Sequence, residues 1–241
     1  MTEHSILFSG PLVRALLDGS KTQTRRILKP APVVIVDDRG DGVAREVERW
    51  CVNHGQWLGS AHEEHLTRRC PYGVPGDQLW VRETWRVMDI IEHAREVQIL
   101  YEANNTRRWV KAQDTNTRTA AAWIRHLQQS EERRAKKTRR LHQKRPSIFM
   151  PRWASRLTLD VTNVRIERVQ AISEEDARAE GVLGVACNRI GPDFGKTQGR
   201  REGFQHLWDS INAKRAPWAS NPWVWCIDFK SREVEMSDDD V

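Results

Sequence analysis

Apolar positions recur along the chain with two periods. Ser5-Ile6-Leu7-Phe8 is a short apolar run suited to a strand, and Ser9-Gly10-Pro11 follows it with a cap-like residue and a proline where a helix starts. Leu12, Val13, Leu16 and Leu17 then repeat at helical spacing, and Asp18-Gly19 supplies the glycine that a helix C-terminus commonly takes in the left-handed conformation. A turn at Pro75-Gly76-Asp77 opens a strand in which Leu79, Val81, Glu83 and Trp85 share one face by the period of two. Val33 to Val36 is a β-branched run, and weak alternation continues from Val87 to Tyr101. Leu157, Leu159 and Val161 alternate with Thr158, Asp160 and Thr162; Asn163 then offsets Val164 and Ile166, which reads as two strands around a turn or as one strand with a bulge.

Further on, Ser173-Glu174-Glu175-Asp176 has the form of a capping box with acids in the first helical turn, and Gly181 ends the short helix. Phe204, Leu207, Trp208 and Ile211 mark an amphipathic helix. Trp223, Trp225, Ile227 and Phe229 alternate along a last strand after Asn221-Pro222. A helix is expected from about Thr119 through Gln128, and the glycine-rich, charged stretch from 184 to 203 reads as a connection without a phosphate-binding fingerprint.

Two stretches change this picture of a scaffold. Gly19-Ser20-Lys21-Thr22-Gln23-Thr24-Arg25-Arg26 leaves the end of the first helix with a hydroxyl near several cations, a setting that lowers a hydroxyl's pKa or steadies an oxyanion. The second is Glu83, a carboxylate among apolar neighbours on a strand face. It is costly to bury there unless a cation meets it, and Lys21, Arg25 and Arg26 are candidates for that cation.

These residues resemble the ASCH domain family, small β-barrels related to the PUA-like RNA-binding fold. Gly19, Lys21, Thr24 and Arg25 match its hallmark pattern after the first helix. The stretches Gly76 to Trp85, Met150-Pro151-Arg152-Trp153-Ala154-Ser155-Arg156 and Asn221-Pro222-Trp223-Val224-Trp225 look like a larger subgroup common in phage and prophage genomes. The match covers both ends and misses the middle. Some smaller members deacylate N4-acetylcytidine with a lysine, a threonine and a glutamate, which fall here on Lys21, Thr24 and Glu83. Others are RNA binders or ribonucleases, so the resemblance implies a nucleic-acid-related ligand more firmly than a reaction.

The fold expected is therefore α+β: a small PUA-like barrel with flanking helices in one domain over 1–232, a basic, partly helical insertion at about 104–147, and an acidic disordered tail at 233–241. As an enzyme it would be an amidohydrolase on N4-acylated cytidine. Thr24 would attack the amide carbonyl, Lys21 would assist as base or charge partner, and Glu83 would carry a proton to the leaving amine. As a non-catalytic RNA- or DNA-binding module, it would use Lys21, Arg25, Arg26 and Arg82 on phosphates or base edges. A metal-free ribonuclease is a third reading, lowered because the sequence holds no paired-histidine nuclease motif.

Charge sharpens the binding reading. The chain has 39 Lys and Arg against 33 Asp and Glu, a net charge of +6. Residues 125 to 145 hold nine Lys and Arg against Glu131 and Glu132, a net of +7, so the remainder sums to 6 − 7 = −1. Arg133, Arg134, Lys136, Lys137, Arg139 and Arg140 are the centre of that window, and they form either a patch for polyanions or a solvated face.

Cys51-x-x-His54, His62-x-x-His65 and Cys70 have spacings able to supply tetrahedral zinc ligands, but one pair has a single cysteine and the other none. No metal and no cofactor is therefore expected. Four scattered cysteines, the absence of an apolar run of membrane length and an N-terminus without signal-peptide features fit a cytoplasmic protein with reduced thiols. The eleven tryptophans read mainly as core and strand residues, some of them available to stack on bases. Oligomeric state is not legible.

Overall fold

The computed structural model describes residues 1–29, 33–37, 45–49, 70–91, 96–111, 142–182 and 199–233. The chain is α+β and rich in strands: β1 (Glu3–Leu7), β2 (Gln23–Ile27), β3 (Val33–Asp37), β4 (Arg45–Arg49), β5 (Gln78–Arg82), β6 (Trp85–Ile91), β7 (Glu96–Tyr101), β8 (Thr106–Lys111), β9 (Leu157–Arg168) and β10 (Trp223–Glu233). Three described α-helices accompany them, α1 (Gly10–Leu17), α2 (Glu174–Ala179) and α3 (Arg200–Asn212). No described helix is long and apolar enough to cross a membrane.

The chain divides into two compact units, each assembled from separate segments. One unit combines residues 3–19, 78–160 and 231–241. In it β1 runs parallel to β5 with Ile6 opposite Val81, and β5 runs antiparallel to the start of β9 with Leu79 opposite Leu159. A three-stranded antiparallel meander of β6, β7 and β8 follows. Its inner face builds a core from Trp85, Val87, Val97, Ile99, Tyr101 and Val110, closed by Met150, Trp153 and Ala154 from two short 3-10 turns. The rings of Trp85 and Trp153 meet edge to face at 6.3 Å. The period of two holds as expected, since Leu79, Val81, Glu83 and Trp85 are all buried. Gly19, at φ 74°, follows α1 in the left-handed conformation that only glycine takes without strain.

The other unit combines residues 1–2, 20–77 and 161–230. Here β10 lies between the latter part of β9 and β2, and β2 pairs antiparallel to β10 with Arg25 opposite Cys226 and Thr24 opposite Ile227. β3 and β4 form an antiparallel ribbon. Ser173 caps α2 by accepting the Asp176 N–H at 3.0 Å, and the α2 residue Glu174 accepts the first N–H groups of α3, from Arg200 at 2.9 Å and Arg201 at 3.2 Å. Phe204, Leu207 and Trp208 bury one side of α3, and the Phe204 ring meets Trp208 and Trp218, each at 6.2 Å.

Several expected boundaries move. β9 is one continuous strand whose burial changes phase at Thr162 and Asn163, both exposed, so the offset in the pattern is absorbed without a turn. Ile211 was expected on the buried side of α3 and is exposed, because it lies in the last turn of that helix. The expected insertion begins with ordered sheet, since Thr106–Lys111 is β8 and its hydrogen-bonding registry with β7 runs from Thr106 opposite Tyr101 to Lys111 opposite Glu96. β10 continues through Glu233, one residue into the expected tail. The helix expected near 119–128 and the cations Arg133, Arg134, Lys136, Lys137, Arg139 and Arg140 lie outside the described residues, as do Cys51, His54, His62 and His65.

Candidate functional site

The loop and strand after α1 build a buried ionic centre. After Gly19 the chain makes an isolated antiparallel bridge between Lys21 and Glu180, and Thr22 donates its N–H to Ala179 O at 2.8 Å. Those bonds pin Lys21 against the end of α2. Its side chain is 1% exposed, and its Nζ donates to Glu180 Oε2 at 2.7 Å, Gln23 O at 2.7 Å and Glu180 O at 2.9 Å. All three ammonium hydrogens are thereby directed. Burial pushes the Lys21 amine below its ordinary value, against the pull of Glu180, with Arg26 and Arg25 adding to the lowering.

Strand alternation sends Gln23 and Arg25 to one face of β2 and Thr24 and Arg26 to the other. On the first face, Arg25 NH2 donates to Asp176 Oδ2 at 2.8 Å and Glu167 Oε2 at 3.2 Å, while its NH1 lies 3.5 Å from Glu180 Oε1 and also donates to Gln23. Gln23 Nε2 in turn donates to Asp176 at 2.9 Å and Asp228 at 2.6 Å. Arg165 completes the network by joining Glu167, Asp176 at 3.0 Å and Asp228 at 2.7 Å. The cluster counts three cations, Lys21, Arg25 and Arg165, against four carboxylates, Glu167, Asp176, Glu180 and Asp228. Its base is dry and its rim is wet: Lys21, Arg25 and Glu180 are buried, whereas Glu167, Asp176, Asp228 and Arg165 are each about a quarter exposed.

At the base Arg25 Nε is buried without a hydrogen-bond partner, and Glu180 Oε1 accepts no hydrogen bond but lies in ion-pair range of Arg25 NH1 at 3.5 Å. Leaving such a donor unmatched costs about 1–3 kcal/mol.

Thr24 is buried on the opposite face, in register with Ile227, and Arg26 shares that face in register with Trp225. Burial lowers the Arg26 guanidinium from its ordinary value, partly offset by Tyr72 and Glu180.

Glu83 belongs to the other unit and takes a different cation from those expected. Arg156 grips it in bidentate fashion, Nε to Oε1 at 2.8 Å and NH2 to Oε2 at 2.9 Å, and also reaches Asn104 Oδ1 at 3.1 Å. The guanidinium lies over the Tyr101 ring, 4.2 Å from its centroid. Burial pushes the Glu83 carboxyl upward, with Arg156 pulling against it, so the cation expected from Lys21, Arg25 or Arg26 is supplied by Arg156 in a dry core. Arg82 is in that unit as well, its guanidinium 5.3 Å from the Trp80 ring centroid and donating to Ile148 O.

Lys21, Thr24, Arg25 and Arg26 thus sit on one loop and strand, with Glu180, Asp176, Glu167 and Asp228 as neighbours that sequence reading missed. One signal was available: by the period of two Asp228 shares a strand face with Val224 and Cys226, and an acid beside apolar residues there calls for a cation. Glu180 had none, since a glutamate before a helix-ending glycine is ordinary.

Among the described residues no group of His, Cys, Asp and Glu is placed to hold a metal ion. Cys70, the described member of the zinc-like set, is buried, and burial pushes its thiol up to about 11. A groove of about 250 Å³ lies at α2 and α3, lined by Glu174, Gly199, Arg201, Glu202, Gln205 and Trp218. None of the predicted site residues lines it. Comparison with protein-family models, with curated proteins and with solved structures finds no match to this chain.

Proposed function

We propose that this chain is an amidohydrolase acting on an N4-acylated cytidine or a related amide-bearing nucleoside, on a PUA-like framework, with Lys21 and Glu180 at its centre. The observation that carries the reading is the dry base of the ionic cluster: Lys21 clamped on Glu180 at 2.7 Å, its amine pushed below its ordinary value by burial, with the Arg25 guanidinium 3.5 Å from the other oxygen of the same carboxylate. Buried charges with perturbed pKa values in a partly open cluster mark functional sites more often than surface pairs do. A lysine is also the side chain most readily detuned by burial into a base near neutral pH.

Hydrolysis needs a base for the attacking hydroxyl or water, a donor for the carbonyl oxygen as it gains charge, and a proton for the leaving amine. Lys21 with Glu180 supplies the proton transfer and Arg25 the charge stabilisation. Glu180 then takes the part that the resemblance gives to Glu83. The rim carboxylates also fit this substrate class: Glu167, Asp176 and Asp228 oppose a phosphate and accept from a sugar or base donor, which favours a neutral nucleoside over a nucleotide.

A second reading, a binding module without turnover, draws on the direction of Thr24. Its side chain is on the face of β2 away from Arg25, which disfavours acylation of this hydroxyl.

The test is acetate release from N4-acetylcytidine and a panel of other N-acylated nucleosides. Lys21→Ala and Glu180→Gln are expected to lose roughly a hundredfold or more. Lys21→Arg, which keeps the charge and cannot act as a base, is expected to lose as much while remaining folded by circular dichroism. Turnover in Thr24→Ala separates water from Thr24 as nucleophile. No turnover by folded wild type, with nucleoside binding retained in calorimetry, would establish the binding module instead.

A further inference from the structure

In the unit that contains Glu83, a short turn is built to expose apolar surface. Ser147–Phe149 is a 3-10 turn with no buried residue, bracketed by Pro146 and Pro151. It is tied down on both sides: Phe149 N–H donates to Pro146 O at 3.0 Å, Met150 N–H to Ser147 O at 3.0 Å, and the Met150 side chain is buried in the core. Yet Phe149 is 70% exposed and Ile148 57%.

Neighbouring contacts extend the patch. Arg82 donates to the Ile148 carbonyl while lying over Trp80, and its register partner on β1 is Leu7, itself 41% exposed. Three of the six large apolar side chains that are exposed among the described residues are thus linked to this stretch, Ile148 and Phe149 in the turn and Leu7 through its strand register with Arg82. Scattered apolar residues need no explanation, but two adjacent ones held exposed on a preorganised turn do.

The rim is cationic. Arg82 donates to the Ile148 carbonyl, Arg145 precedes the turn and Arg152 follows it, the last paired with Glu3 at 2.8 Å. From 142 to 152 the chain carries Lys144, Arg145 and Arg152 and no acidic residue.

We infer that the Ile148–Phe149 turn with Arg82 and Leu7 is a docking surface for a protein partner, specifically an acidic segment bearing an apolar anchor residue. Apolar and aromatic side chains held rigid at the centre, with arginines around them, are the composition of an interface hot spot, and the excess positive charge selects acidic flanks. The aliphatic share of the patch, Ile148 and Leu7, favours a peptide over nucleotide bases, which stack on flat rings. Membership of this site is independent of the Lys21 centre.

The experiment is selection of a displayed random twelve-residue peptide library on the immobilised full chain, with labelled winners measured by fluorescence anisotropy. Enrichment of peptides that combine Asp or Glu with Leu, Ile, Phe or Trp is expected, with affinity at least tenfold weaker for Phe149→Ser and for Arg82→Gln. Ile148→Ser gives a second reading should either variant fail to fold. Peptides without acidic character, or winners that bind Phe149→Ser unchanged, would overturn the inference. So would oligo(U) or oligo(dT) of twelve nucleotides binding in a Phe149-dependent manner where no peptide does. A concentration-dependent mass in sedimentation that Phe149→Ser abolishes would assign the surface to a second copy and overturn it likewise.

Discussion

At the scale of single residues Glu83 meets Arg156 and none of the expected cations Lys21, Arg25 and Arg26. Arg156 satisfies both oxygens of Glu83 with a planar fork and keeps a face for Tyr101, which a lysine's point charge cannot do. Both partners are essentially without solvent, so the pair's own net worth is small and the penalty for orphaning either member is large. Arg156→Ala is therefore expected to cost roughly 3–5 kcal/mol in urea unfolding, whereas Glu83→Leu combined with Arg156→Met recovers most of the loss. A double variant no more stable than Arg156→Ala would show that the fork's contact with Tyr101 and Asn104, rather than the charge, holds this region. Glu83 was legible as a buried acid because its strand neighbours at i±2 are apolar; its partner was not, because residues 83 and 156 meet only through tertiary structure.

At the scale of elements, local chemistry carried further than pairing did. Gly10–Leu17 is the helix that Pro11, the 3.6-residue spacing and Gly19 demand, and Ser173 caps α2 as its position before three acids requires. What local pattern lacks is the use of an end. The carboxylate of Glu174 leaves the first turn of α2 to accept from the first turn of α3, so one capped helix caps the next. Ser173→Ala should then cost about 1 kcal/mol as an ordinary cap, and Glu174→Ala should cost a similar amount through α3. In the double variant the losses are expected to fall short of their sum, because removing the cap already weakens the contact that Glu174 makes. Strict additivity within about 0.3 kcal/mol would mean that α2 holds its first turn without Ser173.

At the scale of the molecule, Asp176 is where helix, strand and ionic centre are joined in one unit, since α2 presents it to Gln23 and Arg25 on β2 and to Arg165 on β9. This convergence was beyond sequence reading because Asp176 already had a sufficient local explanation in the first turn of a capped helix. Desolvation raises its pKa, but the Gln23 hydrogen bond and the charges of Arg25 and Arg165 together hold it below the ordinary 3.8. The sign follows by linkage. In the unfolded chain Asp176 takes up its proton near 3.8, whereas in the folded chain it stays ionised to lower pH, so its contribution is whole above that value and is lost as pH falls through the folded value. Glu83 acts in the opposite sense: its raised folded pKa means that the folded chain keeps a proton which the unfolded chain releases near 4.5, so that contribution declines as pH rises above 4.5. Thermal unfolding followed from pH 7 to pH 3 should therefore steepen toward acid, and Asp176→Asn should flatten the limb below pH 4 by up to about 1.4 kcal/mol per pH unit, the limit for one proton. The variant is expected to be less stable at pH 7, having lost two arginine contacts, so the difference in slope carries the test rather than the midpoint. Glu83→Gln should change the curve on the other side, above pH 4.5, and leave the acid limb of the wild type. Parallel curves for wild type and Asp176→Asn down to pH 3 would mean that the cluster does not hold this carboxylate ionised, and the charge pattern assigned to the Lys21 centre would fall with it.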